Sequence, residues 1–269
     1  MKSELNGKIA VVAGASRGCG RGIALALGDA GATVYITGRT TRSGPKAVDA
    51  APGTIEDTAD EVTRRGGRGI PAQVDHTNPA QVEELFARVR REQGRLDILA
   101  CAVWGGNERF LDPVWQQPFW NQPVRVWDEC MGAGPQAFWI AAHAASRMMA
   151  EQSAGLIVAV TEPIIETTPF SGKLQWDLFE HLPHYSLNRL VGVLARDARP
   201  AGIAIIGLLP GFMKTERVEM HLKGEEMRKQ YRYDLAESTE YAGRAVAALA
   251  ADPNVLSKAG ELIFVADAA

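Results

Sequence analysis

Glycines at positions 14, 18 and 20, within IAVVAGASRGCGRG (Ile9 to Gly22), are the residues whose type and spacing most directly suggest chemistry. An apolar run that breaks into glycine and resumes as a helical pattern reads as a buried strand, a tight turn and a helix start. In such a turn Gly14 makes the bend, Gly18 lets the backbone approach a pyrophosphate, and Gly20 lets the helix pack against the strand. The backbone N–H groups and the positive end of the helix then face the anion. The elements that must hold this turn follow at once. Arg21 to Ala30 reads as a helix closed by Gly31, a natural C-cap, and Thr33 to Thr37 as a second strand, which together make a βαβ unit.

The alternation continues. Ile70 to Val74 reads as a strand, Pro79 to Gln93 as an amphipathic helix, Leu96 to Ala100 as a fourth strand, and Ile203 to Leu209 as the sixth. Strands alternating with helices of about 10 to 15 residues predict a parallel sheet covered on both faces, here a single-domain doubly wound α/β unit spanning 1–269. Between them, residues 40 to 53 form a Gly/Pro/Ser-containing insertion, either a flap near the ligand or an inert surface loop. With 29 Lys+Arg against 32 Asp+Glu, a formal charge of −3 and no basic block, nucleic acid is not an expected partner. MKSELNGKIA lacks the apolar core of a signal peptide, and no apolar run approaches the roughly 18 residues of a membrane span, so a cytoplasmic protein without membrane partners is expected. Cys19, Cys101 and Cys130 have no metal-ligand spacing and read as small buried thiols.

The glycine spacing resembles the Gly-x-x-x-Gly-x-Gly fingerprint of the short-chain dehydrogenase/reductase family, and the likeness runs over nearly the whole chain. Asp75 stands where that family's adenine-contacting aspartate follows the third strand. DILACAVWGG from Asp97 is similar to the fourth strand and its loop, GLIVAVTE from Gly155 to the fifth, Pro210-Gly211-Phe212-Met213-Lys214-Thr215 to the Pro-Gly-x-x-x-Thr after the sixth, and ELIFVADAA from Glu261 to the closing strand. The resemblance implies a Rossmann-like fold and a nicotinamide cofactor touched by Gly14, Ser16, Arg17, Gly18, Cys19, Gly20, Asp75 and Thr215. At the end of the second strand an NAD enzyme usually presents an acid to the ribose. Here the chain reads Thr37-Gly38-Arg39, and Arg39, helped by Arg17 and Arg42, suits a 2′-phosphate, so NADP(H) is expected.

The resemblance also implies a tyrosine acid/base, a lysine, a serine and an asparagine, and these positions depart from the pattern. The asparagine position falls on Gly134. Glu162 takes the serine's place at the end of the fifth strand, with Thr161 one step early. In a closed cleft a carboxyl there would be desolvated, its pKa raised, and suited to donating a proton or anchoring a cationic substrate. Tyr185-Ser186-Leu187-Asn188-Arg189 is similar to Tyr-x-x-x-Lys with arginine for lysine. An alternative frame places Trp176 to Glu180 on the motif, which leaves neither tyrosine nor lysine. His181 and His184, in the same stretch, read either as acids working near neutral pH or as surface histidines. Trp104 replaces part of the family's Asn-Asn-Ala-Gly and either lines a substrate pocket or plugs one. Phe110 to Trp127, with Trp115, Phe119 and Trp120, suggests either an aromatic or apolar substrate or a loop packed on itself.

The expectation is therefore an NADP(H)-dependent oxidoreductase acting on a carbonyl or C=N small molecule, with the proton from Tyr185 or Glu162, Arg189 beside the tyrosine, and a substrate lid over about 212–237. The altered positions keep two alternatives open: a catalytically silent nucleotide-binding homologue, and a redox-neutral isomerase or cyclase. By resemblance, a homodimer or homotetramer forms through helices near 125–150 and 185–199.

Overall fold

The computed structural model describes residues 4–47, 49–106, 117–163 and 181–268. Its strands are β1 (Ile9–Ala13), β2 (Thr33–Gly38), β3 (Arg68–Gln73), β4 (Ile98–Cys101), β5 (Gly155–Val160), β6 (Ile203–Leu209) and β7 (Leu262–Phe264). They form one seven-stranded sheet in the order β3-β2-β1-β4-β5-β6-β7, and every pairing is parallel. The helices are α1 (Gly18–Asp29), α2 (Ile55–Arg64), α3 (Pro79–Gln93), the single turn α4 (Arg125–Trp127), α5 (Ala137–Glu151), α6 (Leu182–Ala198), α7 (Glu216–His221), α8 (Glu225–Gln230), α9 (Thr239–Ala251) and α10 (Val265–Ala268).

Side-chain alternation along the central strands builds two apolar layers. Ala10 and Val12 of β1 and Ile98 and Ala100 of β4 point to the layer made with α1, α2 and α9. Ile9, Val11 and Ala13, with Leu99 and Cys101, point to the layer made with α3, α5 and α6. Local signals set the helix starts. Asn78 accepts hydrogen bonds from the N–H groups of Ala80 and Gln81 with Pro79 in the first turn of α3, Thr54 caps α2, and Ser238 caps α9. At the opposite end of the sheet Asp97, almost fully buried, accepts from the Ile9 N–H at 2.9 Å and pairs with Arg95 and Lys8. This ties the start of β1 to the start of β4.

The predicted elements hold with shifts at their ends. The first helix begins at Gly18 rather than Arg21, so the glycine turn runs directly into it. The long helix expected over 125–150 is broken. A π-helical stretch, Asp128–Gln136, leaves helical geometry at Ala133 and Gly134, and regular α-helix resumes at Ala137. Pro135 removes a backbone donor at the break. The strand order reverses between β1 and β4, so the loops leaving their carboxyl ends diverge and open a cleft there.

Candidate active site

The cleft is lined by the loops after β1 to β6, by the broken stretch Ala133–Pro135, and by the first turns of α6 and α7. Gly14 has φ +79°, and a Cβ on it would lie 2.8 Å from the Ala102 carbonyl oxygen. A Cβ on Gly20 would overlap the Gly14 carbonyl. The turn between β1 and α1 is therefore closed to side chains at both points, which leaves backbone as its surface. The Gly18 N–H donates to a carboxylate oxygen of Glu216 at 2.6 Å. Glu216, from the first turn of α7, thus places an anionic oxygen on the first amide of α1, where the helix end favours negative charge.

Of the other cofactor candidates, Ser16 is buried and, like Cys19, lines the cleft. The Cys19 thiol is pushed up to about 12 by burial and by Glu237, so it is uncharged there. Arg17 donates from Nε to the Pro52 carbonyl at 2.9 Å and from its terminal nitrogen to the Gly53 carbonyl at 2.8 Å. The insertion is also held by Asp49, which pairs with Arg217 at 2.5 Å. It is thus fastened across the glycine loop to α7. Arg39 and Asp75 line the cleft together. Burial raises the Asp75 pKa, but hydrogen bonds from the Thr77 hydroxyl and N–H and the nearby Arg39 charge hold it below its ordinary value. Arg42, expected to assist Arg39, instead pairs with Asp57 and Asp60 on α2, and it does not line the cleft. Thr215 lines the cleft and caps α7 by accepting from the Val218 N–H.

Trp104 lies in the cleft, its ring centroid 4.5 Å from that of His184. A Cβ on Gly134 would approach the Trp104 ring to 3.2 Å, and one on Gly106 to 2.7 Å. The indole therefore occupies the space a side chain at 134 would use, which couples the two departures noted in the sequence. Glu162 lines the cleft with its side chain 41% exposed, so the described residues do not supply the closed, desolvated setting expected for it. Its carboxylate oxygens lie 3.8 Å from His184 Nε2 and 3.9 Å from His181 Nδ1.

The sequence reading missed Asn188, and of its two readings for His184 the surface one fails. On α6 the residues toward the cleft are Pro183, His184 and Leu187. Tyr185 and Arg189 are not among its lining residues, Arg189 is exposed, and the Tyr185 ring is 6.4 Å from that of His181. The alternative frame, Trp176 to Glu180, lies outside the described residues. His184 is no surface histidine: its side chain is 12% exposed, and burial, then the neighbouring His181, push its pKa down to about 4. Its ring stands beside the buried Thr161, whose hydroxyl donates to Asn188 Oδ1 at 2.8 Å, while Asn188 Nδ2 donates to the Glu162 carbonyl at 2.9 Å. The signal was present in the spacing. His184 and Asn188 flank the apolar stripe Leu187, Val191 and Ala195 that packs α6 on the sheet.

His76 was also missed. It is buried, lines the cleft beside Asp75, and contacts Thr37 Oγ1 through Nε2 at 2.7 Å. Phe119 and Trp120 meet edge to face with ring centroids 5.2 Å apart and are exposed, and neither lines the cleft. Phe110 and Trp115 lie outside the described residues. Among the described residues no group of His, Cys, Asp and Glu is arranged for a metal, and no helix is long and apolar enough to cross a membrane.

Comparisons with known proteins agree with this geometry. Residues 8–168 match the family model for short chain dehydrogenases. The human protein named dehydrogenase/reductase SDR family member 1 is 34% identical over 281 residues, covering 100% of this chain and 83% of its own. The mouse protein of the same name is 34% identical over 279 residues. Among solved structures, YwfH, described as an NADPH-dependent reductase of bacilysin biosynthesis, superposes with a TM-score of 0.75 at 22% identity, covering 97% of both chains. A 7α-hydroxysteroid dehydrogenase complexed with NADH superposes at 0.77 with 20% identity, covering 98% of this chain and 96% of that one. The fold is common to these solved structures, and the sequence match extends through the glycine turn, the switch-point cleft and the fifth strand: the chain belongs to the short chain dehydrogenase/reductase family of oxidoreductases.

Proposed function

We propose that this protein is an NADP(H)-dependent oxidoreductase that interconverts a carbonyl or C=N compound and its reduced form. The observation that carries the reading is the Gly18 N–H held against an anionic oxygen, here the Glu216 carboxylate standing in for a phosphate oxygen. The residues fit the dinucleotide. The glycine turn offers bare backbone to a pyrophosphate, Arg39 offers a guanidinium where an NAD enzyme offers an acid, and Asp75 and Thr215 flank the two ends of the cleft. When bound, the nicotinamide supplies or accepts the hydride. The chain orients the substrate against the flat face of Trp104, and the proton is exchanged at the Glu162 end of the cleft. Residues 212–237, which include α7 and α8, serve as the substrate cover, and α5 and α6 serve as the faces of a homodimer or homotetramer, with Trp139 of α5 46% exposed.

The absence of Tyr185 and Arg189 from the cleft lining favours a second reading, a nucleotide-binding member without turnover. Tryptophan fluorescence titration with NADPH and, separately, NADH separates the two from a non-binder. Tight, selective NADPH binding followed by turnover of a ketone or imine supports the proposal. Tight binding with no turnover supports the silent member, and no binding of either nucleotide overturns both.

A further inference from the structure

The hydrogen-bond chain behind Glu162 dictates where the proton sits on His184. Its fixed end is a backbone carbonyl, which only accepts. Because Asn188 Nδ2 donates to the Glu162 carbonyl at 2.9 Å, Asn188 Oδ1 is turned to Thr161. The single hydroxyl proton of Thr161 goes to that oxygen at 2.8 Å. At the contact with His184 Nδ1, 3.3 Å away, Thr161 Oγ1 has only lone pairs left, so Nδ1 must carry a proton. Nε2 is then the basic nitrogen of the neutral ring, and it faces the Glu162 carboxylate at 3.8 Å inside the cleft.

We propose that His184 Nε2, assisted by Glu162, is the proton-exchanging group of this site, in place of the tyrosine. The inference rests on the oxidoreductase reading above. In the oxidation direction, the substrate hydroxyl gives its proton to Nε2 as the carbon–hydrogen bond breaks and its electron pair leaves with the hydride for NADP+. The O–H bond is replaced by an N–H bond and the carbon–oxygen bond becomes a carbonyl. The substrate is oxidised, NADP+ is reduced, and the Glu162 carboxylate, 3.8 Å from Nε2, offsets part of the burial that disfavours the imidazolium. Reduction runs the same steps in reverse. Among the described residues, the charged or titratable groups facing the ring are Glu162, from the loop after β5, and His181, at the start of α6, while the loop after β4 contributes the uncharged Trp104. Thr161 and Asn188 are positioning residues: they set which nitrogen is basic.

The test is long-range proton–nitrogen NMR of the full chain labelled at its five histidines, with His184 assigned from His184→Gln. At neutral pH the ring is expected to be protonated at Nδ1 and bare at Nε2, with Thr161→Val removing that preference. A ring protonated at Nε2 in the unaltered protein overturns the inference without touching the nucleotide reading. The second arm measures NADPH affinity by fluorescence and turnover of 1-phenylethanol with NADP+. His184→Gln is expected to keep NADPH affinity within about twofold while turnover falls by about 100-fold or more, the lower range for a lost acid/base. Tyr185→Phe is expected to leave both within about twofold. Undiminished turnover in His184→Gln overturns the inference, whereas failure of the unaltered protein to bind NADPH overturns the function reading on which it rests.

Discussion

Replacing Glu216 with glutamine should tighten NADPH binding. The carboxylate accepts from the Gly18 N–H at 2.6 Å, on the amide a pyrophosphate oxygen would need. Two effects oppose the ligand. A hydrogen bond with a charged partner contributes about 1.5–3 kcal/mol against about 0.5–1.5 kcal/mol for a neutral one, so glutamine lowers the cost of release by about 1 kcal/mol. Once displaced, the carboxylate stays near the phosphates, because α7 is tied to the insertion through Arg217 and Asp49. At about 8 Å and an effective dielectric constant of about 20, each like-charge pair costs roughly 2 kcal/mol, which solvent and salt reduce to about 1 kcal/mol. The sum, about 2 kcal/mol, corresponds to a roughly 30-fold fall in the dissociation constant. Fluorescence titration of Glu216→Gln and the unaltered protein at low and high salt reads it directly, and the gain should shrink as salt rises. Equal or weaker binding in the variant would refute the idea that Glu216 competes for the phosphate seat.

The remaining expectations can be checked independently. Arg39→Ala should weaken NADPH by about 10- to 100-fold and leave NADH nearly unchanged, because a charged hydrogen-bonding fork is lost only for the nucleotide bearing the extra phosphate; equal losses for both nucleotides would contradict that role. Gly20→Ala should abolish nucleotide binding with little change in helix content by circular dichroism, since its Cβ would strike the Gly14 carbonyl and deform the turn. Asp97→Asn should destabilise the fold by about 2 kcal/mol in urea unfolding, because the Ile9 N–H, Arg95 and Lys8 lose a charged partner. Burial raises the Asp97 pKa, but Arg95, the Ile9 N–H and Lys8 together bring it below its ordinary value. Its stabilisation is therefore full above the unfolded carboxyl's pKa of about 4 and is lost as pH falls through the lower folded value. The unaltered protein should lose thermal stability in that acid range more steeply than Asp97→Asn.

Much of this molecule is legible locally. The IAVVAGASRGCGRG stretch specifies strand, turn and helix because bend, bare backbone and apolar periodicity are all encoded within consecutive residues. The limits of α3 agree with the sequence reading from Pro79 to Gln93 because an Asn cap, a proline and a terminal glycine mark them. The candidate site divides differently. Tyr185 and Arg189 share a helical face, as the spacing indicated, but sharing a face does not say where that face points. Packing of Leu187, Val191 and Ala195 on the sheet orients α6, and it brings His184 and Asn188 to the site instead.

The amino-acid order alone determined the doubly wound sheet, the glycine turn and the missing acid after β2, since each depends on residue types at short, fixed separations. Only tertiary structure decided the contacts between distant segments. Glu216 meets Gly18 across 198 positions of chain. Trp104 occupies the space that Gly134 leaves. The Glu162 carbonyl is linked to His184 through Asn188 and Thr161. Such contacts depend on how rigid elements dock and on the direction in which each hydrogen bond runs, and neither is carried by local periodicity.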